Sequence, residues 1–111
     1  MALKNPSTLR NKERIRGLFS GSNKISKYPI TLLFRANGGL DTEILYCSDK
    51  TSQNAVQRNR TKRILRALVR ENKDKIPDQM DIAIISKREI EDLDFTQRVE
   101  LLASLLSKIS Q

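Results

Sequence analysis

The sequence contains no histidine and no tryptophan, and it has a single cysteine, Cys47. Without histidine, the chain has no imidazole for a general base, a Ser-His-Asp triad or a histidine metal cluster. One cysteine excludes an internal disulfide and indicates a reducing, cytoplasmic setting. No apolar run approaches the roughly 20 residues that a membrane-spanning helix needs, so no membrane association is expected.

Positive charge, by contrast, is abundant and unevenly distributed. The chain has 21 Lys and Arg residues against 13 Asp and Glu residues, a net charge of +8. Residues 1–70 hold 15 basic and 4 acidic side chains, whereas residues 71–111 hold 6 basic and 9 acidic ones. This one-sided excess predicts a surface that binds a polyanion. A protein that is merely basic is the alternative at this point.

With 111 residues, the chain suits a single domain over 1–111. Ser7 or Thr8 is expected to cap a first helix that runs to about Phe19. Apolar residues that recur at helical spacing predict a second helix over 54–72 and a third that begins near Asp94 or Thr96.

Extended segments are predicted between these helices. Alternating apolar residues indicate a strand at 26–36. The turn signal of residues 37–39 is followed by a second extended run at 41–48, which predicts a β-hairpin across 28–48. A further short strand is possible around 24–28, and the β-branched, apolar run at 80–85 reads as a buried strand. The expected fold is therefore α/β (α+β), with the order α-β-β-(β)-α-β-α.

The helix over 54–72 separates two kinds of side chain. Its apolar arc contains Thr61, Ile64, Leu65, Leu68 and Val69. The opposite arc contains Asn59, Arg60, Lys62, Arg63, Arg66 and Arg70. No acidic residue occurs from Lys50 to Arg70. Like charges four residues apart repel by a few tenths of a kcal/mol each, about 0.2 to 0.5, and this cost is recovered against a phosphate backbone through counterion release. The helix is therefore predicted to bind RNA, with a solvated face of accidental sign as the alternative.

Residues 54–66 resemble the signature of bacterial ribonuclease P protein components. That signature has an Asn-Ala-Val lead-in, then Arg-Asn-Arg-x-Lys-Arg, two aliphatic residues and an Arg, and here it reads NAVQRNRTKRILR. Leu9-Arg10, Leu18-Phe19 and Gly21 are similar to the family's first helix, and 81–85 resembles the strand after the signature helix.

The resemblance implies a fold, a function and partners. The fold is a two-layer sandwich with a central, mostly antiparallel sheet and a left-handed crossover into the signature helix. The protein pairs with a catalytic ribonuclease P RNA that removes the 5′ leader of precursor tRNA, and the RNA holds the catalytic magnesium ions. The polypeptide itself then contributes no catalytic residue, no metal site and no cofactor, and DNA is not an expected partner.

Two groups of site residues are expected. The RNA-binding group combines the match to the signature with the basic residues around it: Lys50, Asn54, Arg58, Asn59, Arg60, Lys62, Arg63, Arg66 and Arg70. A second group lies where the family forms a cleft for the single-stranded leader: Lys12, Ile15, Phe19, Phe34 and Tyr46.

The sequence departs from the family pattern at several positions. Asp49-Lys50 stands where paired lysines are usual, Gln53 replaces a glycine, Ala67 follows the last signature Arg in place of an acidic residue, and Ile15 replaces an aromatic residue. Two other classes of function are open: a ribosome-associated or general RNA-binding chaperone, and a self-sufficient nuclease. The lack of histidine and of a carboxylate pair disfavours the nuclease, since capping explains the acidic cluster at 89–94.

Overall fold

The computed structural model describes residues 6–109, which contain five strands and three α-helices. The strands are β1 (Ser7–Thr8), β2 (Asn23–Lys27), β3 (Ile30–Ala36), β4 (Glu43–Ser48) and β5 (Met80–Ser86). The helices are α1 (Lys12–Gly21), α2 (Ala55–Glu71) and α3 (Phe95–Ile109). Short 3₁₀ turns occur at Lys73–Lys75 and Arg88–Asp92. The mixed α+β class is confirmed.

The strands form one sheet in the order β1-β4-β5-β3-β2. β1 and β4 pair in parallel, as do β4 and β5, whereas β3 is antiparallel to both β5 and β2. The sheet is therefore evenly mixed, where a mostly antiparallel one was expected. The parallel pair β4 and β5 is joined through α2; a left-handed crossover at this connection stays a prediction.

The β-hairpin expected across 28–48 is not formed, because β5 lies between β3 and β4 and pairs with both. The turn signal itself was correct: Gly38 and Gly39 have φ values of 77° and 93°, a region in which glycine has no steric penalty. The hairpin that does form joins β2 to β3. Its first strand is the short one that was expected around 24–28.

Helices cover both faces of the sheet. α1 packs on the face that carries Leu33, Leu45 and Ala83, with Leu18 buried against them. On the other face, α2 and α3 enclose the main core, which includes buried residues from β3, β4 and β5: Ile30, Leu32, Ile44, Tyr46, Ile82 and Ile84. The molecule thus has three layers where two were expected. The continuous apolar run of β5 agrees with this arrangement, since both of its faces are covered.

The first helix begins later than predicted. Ser7–Thr8 forms β1 instead of a cap, and the N-cap is Asn11, whose Oδ1 accepts a hydrogen bond from the Arg14 backbone N–H at 3.0 Å. Asn and Ser are comparable cap residues, so the local sequence did not distinguish the two starts. The parallel pairing of β1 with β4 decides between them.

Candidate nucleic-acid interface

Helix α2 is fixed in the molecule by its N-terminal cap and by its apolar side. The Asn54 Oδ1 accepts from the Gln57 N–H at 2.9 Å, and the Gln57 Oε1 accepts from the Gln53 N–H at 3.0 Å, so two unpaired donors are satisfied reciprocally. On the predicted apolar arc, Ile64 is partly buried and the other members are fully buried: Thr61, Leu65, Leu68 and Val69. The rotation of the helix about its axis is therefore set by the core.

That rotation turns the basic arc to solvent. The exposed side chains are Arg58, Asn59, Arg60, Arg63, Arg66 and Arg70, and Lys62 is partly exposed. Apart from Arg60, none of these cations forms a salt bridge with a carboxylate of residues 6–109. The carboxylate-free row that the helical period predicted is present on the surface. It is a row of donors without acceptors, which suits phosphate oxygens.

Arg60 differs from its neighbours because it has an acidic partner. Its Nη1 lies 3.1 Å from the Oε1 of Glu91, in the 3₁₀ turn Arg88–Asp92. Arg98 anchors this turn by donating to the carbonyl oxygens of Ile90 at 2.9 Å and Glu91 at 3.2 Å. Arg60, one of the arginines of the signature, is therefore held toward the acidic C-terminal part of the chain.

Tyr46 of β4 lies under the basic helix. The guanidinium carbon of Arg66 is 5.3 Å from the centre of the Tyr46 ring, a distance typical of a cation–π contact. Burial raises the pKa of the Tyr46 hydroxyl, and the charges of Arg66 and Arg70 lower it in part. The ring is 8% exposed, so it has no free face for a base to stack upon.

The turn before α2 explains one departure from the family pattern. Asp49 accepts hydrogen bonds from the Thr51 N–H at 2.8 Å, from the Thr51 hydroxyl and from the Lys87 Nζ at 3.2 Å. Burial raises the pKa of this carboxyl, but the Thr51 and Lys87 contacts outweigh that effect, so its pKa lies below the usual value. Asp49 thus stabilises the turn, while Lys50 is exposed and free to contact an anion. Asn54, predicted to bind RNA, serves as the helix cap.

The five residues predicted to form a leader cleft do not lie together. Lys12, Ile15 and Phe19 belong to α1, where Lys12 and Phe19 are exposed and Ile15 packs beside Leu18. Phe34 and Tyr46 point to the opposite face of the sheet, into the core under α2 and α3. The sequence placed both residues on extended segments, but it did not show which helix would cover their face.

One charged contact was missed by the sequence reasoning. Asp81 is 2% exposed in β5, and its carboxylate accepts from the Arg14 guanidinium, with a 2.9 Å bond to Arg14 Nε, and from Asn37 Nδ2 at 3.3 Å. Burial raises the pKa of Asp81, but the contacts with Arg14 and Asn37 lower it by a larger amount, so the pKa lies below its usual value. Glu43 adds a second carboxylate 3.3 Å from Arg14. An acid inside an apolar strand was the available signal, because buried carboxylates are almost always paired.

Within residues 6–109, no three Cys, Asp or Glu side chains are arranged to hold a metal ion, and no helix has the length and apolar character to cross a membrane. A search against protein families found one match. The model of the Ribonuclease P family matches residues 3–110. This chain belongs to the ribonuclease P protein family.

Individual family members agree with the assignment. The ribonuclease P protein component of Finegoldia magna is 38% identical over 74 residues, which is 67% of this chain and 66% of that protein. That of Pelotomaculum thermopropionicum is 38% identical over 56 residues, 50% of each chain. The matched segments thus span just under two thirds and half of these relatives. A solved structure of the ribonuclease P protein of Thermotoga maritima covers 92% of this chain and 96% of its own, with 29% identity and a TM-score of 0.79.

The resemblance first seen in residues 54–66 is thereby confirmed at the level of the ribonuclease P family and of the fold. Within that fold, α2 is the helix that carries the signature. Its individual RNA contacts stay predictions, as does the leader-binding role of α1.

Proposed function

We propose that this chain is the protein subunit of a ribonuclease P ribonucleoprotein, which removes the 5′ leader from precursor tRNA. The observation that carries the proposal is the exposed face of α2, where Arg58, Arg63, Arg66 and Arg70 have no carboxylate partner among residues 6–109. Each such cation releases counterions when it neutralises a phosphate, which supplies affinity for a folded RNA.

In this proposal the protein binds RNA, and the catalytic RNA carries out the cleavage. The catalytic RNA holds the magnesium ions and hydrolyses the phosphodiester bond, whereas the polypeptide binds no cofactor and contributes no catalytic group. The basic helix neutralises phosphates of the partner RNA, which lowers the concentration of magnesium needed to bring negatively charged RNA segments together. A cytoplasmic location belongs to the same proposal.

The precursor leader is assigned to α1 alone. Lys12, Ile15 and Phe19 recur at helical spacing on one side of α1. Phe19 is an exposed aromatic residue and Lys12, two turns earlier, is an exposed cation, and aromatic and basic groups together bind single-stranded RNA. Phe34 and Tyr46 are not assigned to the leader site, because they face the other side of the sheet.

Reconstitution tests the proposal. The full chain is mixed with a bacterial ribonuclease P RNA at a magnesium concentration where the RNA alone is nearly inactive, and mature 5′ ends of precursor tRNA are measured. We expect cleavage to be restored by the wild-type chain and to be reduced in Arg63→Ala/Arg66→Ala. Lys24→Ala is the matched control, since Lys24 is an exposed cation of β2 at the far edge of the sheet.

No stimulation over RNA alone, with equal affinity for unrelated structured RNAs, would contradict the proposal. That result would instead support the alternative, a general RNA-binding chaperone without a catalytic partner.

A further inference from the structure

A small pocket lies beside the C-terminal half of α2, where the helix passes β1 and β4. Its volume is about 160 Å³, and its lining residues are Pro6, Thr8, Tyr46, Arg66, Val69 and Arg70. Sites for drug-sized molecules measure roughly 300 to 1,000 Å³. The pocket therefore suits a group as small as a single phosphate, and not a whole nucleotide.

The polar groups that line this pocket are mainly donors. Arg66 and Arg70 are one turn apart on α2 and line the pocket together with Tyr46, and the guanidinium carbon of Arg66 lies 5.3 Å from the centre of the Tyr46 ring. No carboxylate lines the pocket, and neither arginine forms a salt bridge within the described part of the chain. Guanidinium groups have no acceptor capacity, so together with the phenol they favour an anion.

The geometry favours a phosphate over a nucleobase as the ligand of this pocket. A base would need an open aromatic face, but the Tyr46 ring is buried and Arg66 lies over it. Tyr46 lines the pocket, and the hydroxyl is the polar group of its side chain. The like charges of Arg66 and Arg70 also repel each other at this spacing, and an anion between them relieves that repulsion.

We propose that this pocket binds one phosphodiester group of an RNA backbone, held by the guanidinium groups of Arg66 and Arg70 and by a hydrogen bond from the Tyr46 hydroxyl. The inference rests on the proposed function and deepens it, because it assigns a strand residue outside the signature helix to RNA binding. It makes Tyr46 an RNA ligand through its oxygen and not through its ring.

Equilibrium binding of the full chain to a labelled bacterial ribonuclease P RNA over a salt series tests this assignment. Tyr46→Phe keeps the ring beneath Arg66 and removes only the hydroxyl. We expect it to weaken binding about tenfold, as loss of a hydrogen bond to a charged group does, without changing the salt slope. Arg70→Gln is expected to weaken binding and to flatten the slope by less than the roughly 0.7 to 0.9 of a whole phosphate contact, because Arg66 still neutralises the shared phosphate.

The double variant decides whether both groups hold the same phosphate. Shared contact predicts that Tyr46→Phe/Arg70→Gln loses less affinity than the product of the two single losses, because interacting groups are not additive. Tyr28→Phe and Lys24→Gln are the matched controls, because both residues are exposed and belong to the far edge of the sheet or the turn after it. Circular dichroism confirms that each variant is folded.

Wild-type affinity in Tyr46→Phe would overturn the inference, and so would a double variant in which the single losses simply multiply. Failure of the proposed function gives a different result. If the wild type binds unrelated RNAs as tightly as ribonuclease P RNA, the proposed function fails, yet the pocket still predicts the Tyr46→Phe loss on every RNA bound.

Discussion

At the scale of single residues, Arg60 and Glu91 form the contact with the most direct bearing on RNA binding. The Arg60 side chain is 52% exposed and that of Glu91 29% exposed, so the pair is solvent-screened and contributes roughly 0.2 to 1 kcal/mol to stability. The same carboxylate competes with phosphate for the Arg60 guanidinium. An RNA that uses Arg60 must share it with Glu91 or displace it.

Removal of the Glu91 charge should therefore strengthen RNA binding. In Glu91→Gln, Arg60 becomes an uncompensated cation, and we expect tighter binding with a log affinity versus log salt slope that is steeper by roughly 0.7 to 0.9. Fluorescence binding titrations over a salt series measure both quantities. Glu89→Gln, in the same turn but without a salt bridge among residues 6–109, is the control. An identical slope in Glu91→Gln and wild type would show that Arg60 does not contact the backbone.

At the scale of elements, α2 is the part of the fold that the sequence predicted best. The predicted range 54–72 corresponds to the cap Asn54, the helix Ala55–Glu71 and the C-terminal residue Asn72. The apolar period predicted both the range of the helix and the side that is buried, whereas the cap role of Asn54 was seen only in the structure. The apolar period is a local signal, so it did not depend on the arrangement of the sheet.

The cap makes a prediction that separates stability from binding at Asn54. Asn54→Ala removes the acceptor for the Gln57 N–H and should lower the free energy of unfolding by about 1 kcal/mol. Asn54→Asp retains the acceptor and suits the positive end of the helix dipole, so it should preserve stability while its charge weakens RNA binding. Urea denaturation and RNA titration measure the two effects. If Asn54→Ala is as stable as wild type, the cap assignment is wrong.

The basic face of α2 makes a graded prediction. If Arg63 neutralises one phosphate by itself, Arg63→Ala should flatten the salt slope by roughly 0.7 to 0.9. Arg66→Ala should flatten it by less, because Arg70 still neutralises the phosphate that the two arginines are proposed to share. Arg60→Ala should change the slope by less, because Glu91 already neutralises part of the Arg60 charge. Parallel salt titrations of the three variants give the comparison. Equal slopes in all three variants and wild type would show that this face does not touch the RNA backbone.

Sheet pairing and the leader cleft show where sequence reasoning failed. Phe34 and Tyr46 were correctly placed on extended segments, but the helix that covers their side of the sheet depends on contacts distant in sequence. The hairpin prediction failed for the same reason. The tight turn at Gly38 and Gly39 reverses the chain, but it does not require that the strands on either side of the turn pair with each other. Long-range pairing with β5 decided both outcomes.

At the scale of the whole molecule, two carboxyl groups link stability to acid. Asp81 joins β5 to α1 through Arg14, and Asp49 joins the turn before α2 to Lys87. Both have a pKa below the usual value of about 3.9 for Asp. The unfolded chain therefore takes up these protons first as the pH falls. The stabilisation is complete above about pH 4 and is lost as the pH falls through that value toward the native pKa values.

We expect the free energy of unfolding of the wild type to decline steeply below about pH 4. Asp81→Asn removes one partner of a buried pair and should cost about 3 kcal/mol at neutral pH. Its further decline in acid should be shallower, because one of the linked groups is gone. Urea denaturation between neutral and acid pH measures this, with exposed Asp78→Asn as the control. An acid decline as steep in Asp81→Asn as in wild type would contradict the linkage.

The central position of β5 has a consequence for folding during synthesis. β5 ends at Ser86, and each of its neighbours, β3 and β4, precedes it in the chain by more than thirty residues. Before β5 is synthesised, the strand pairs that can form are the β2–β3 hairpin and the two-residue pairing of β1 with β4. Isolated two-stranded pairs of this kind are marginally stable. The RNA-binding helix is thus translated before the strand that completes its supporting sheet. We expect the nascent chain to become competent for its RNA only after β5 has left the ribosome.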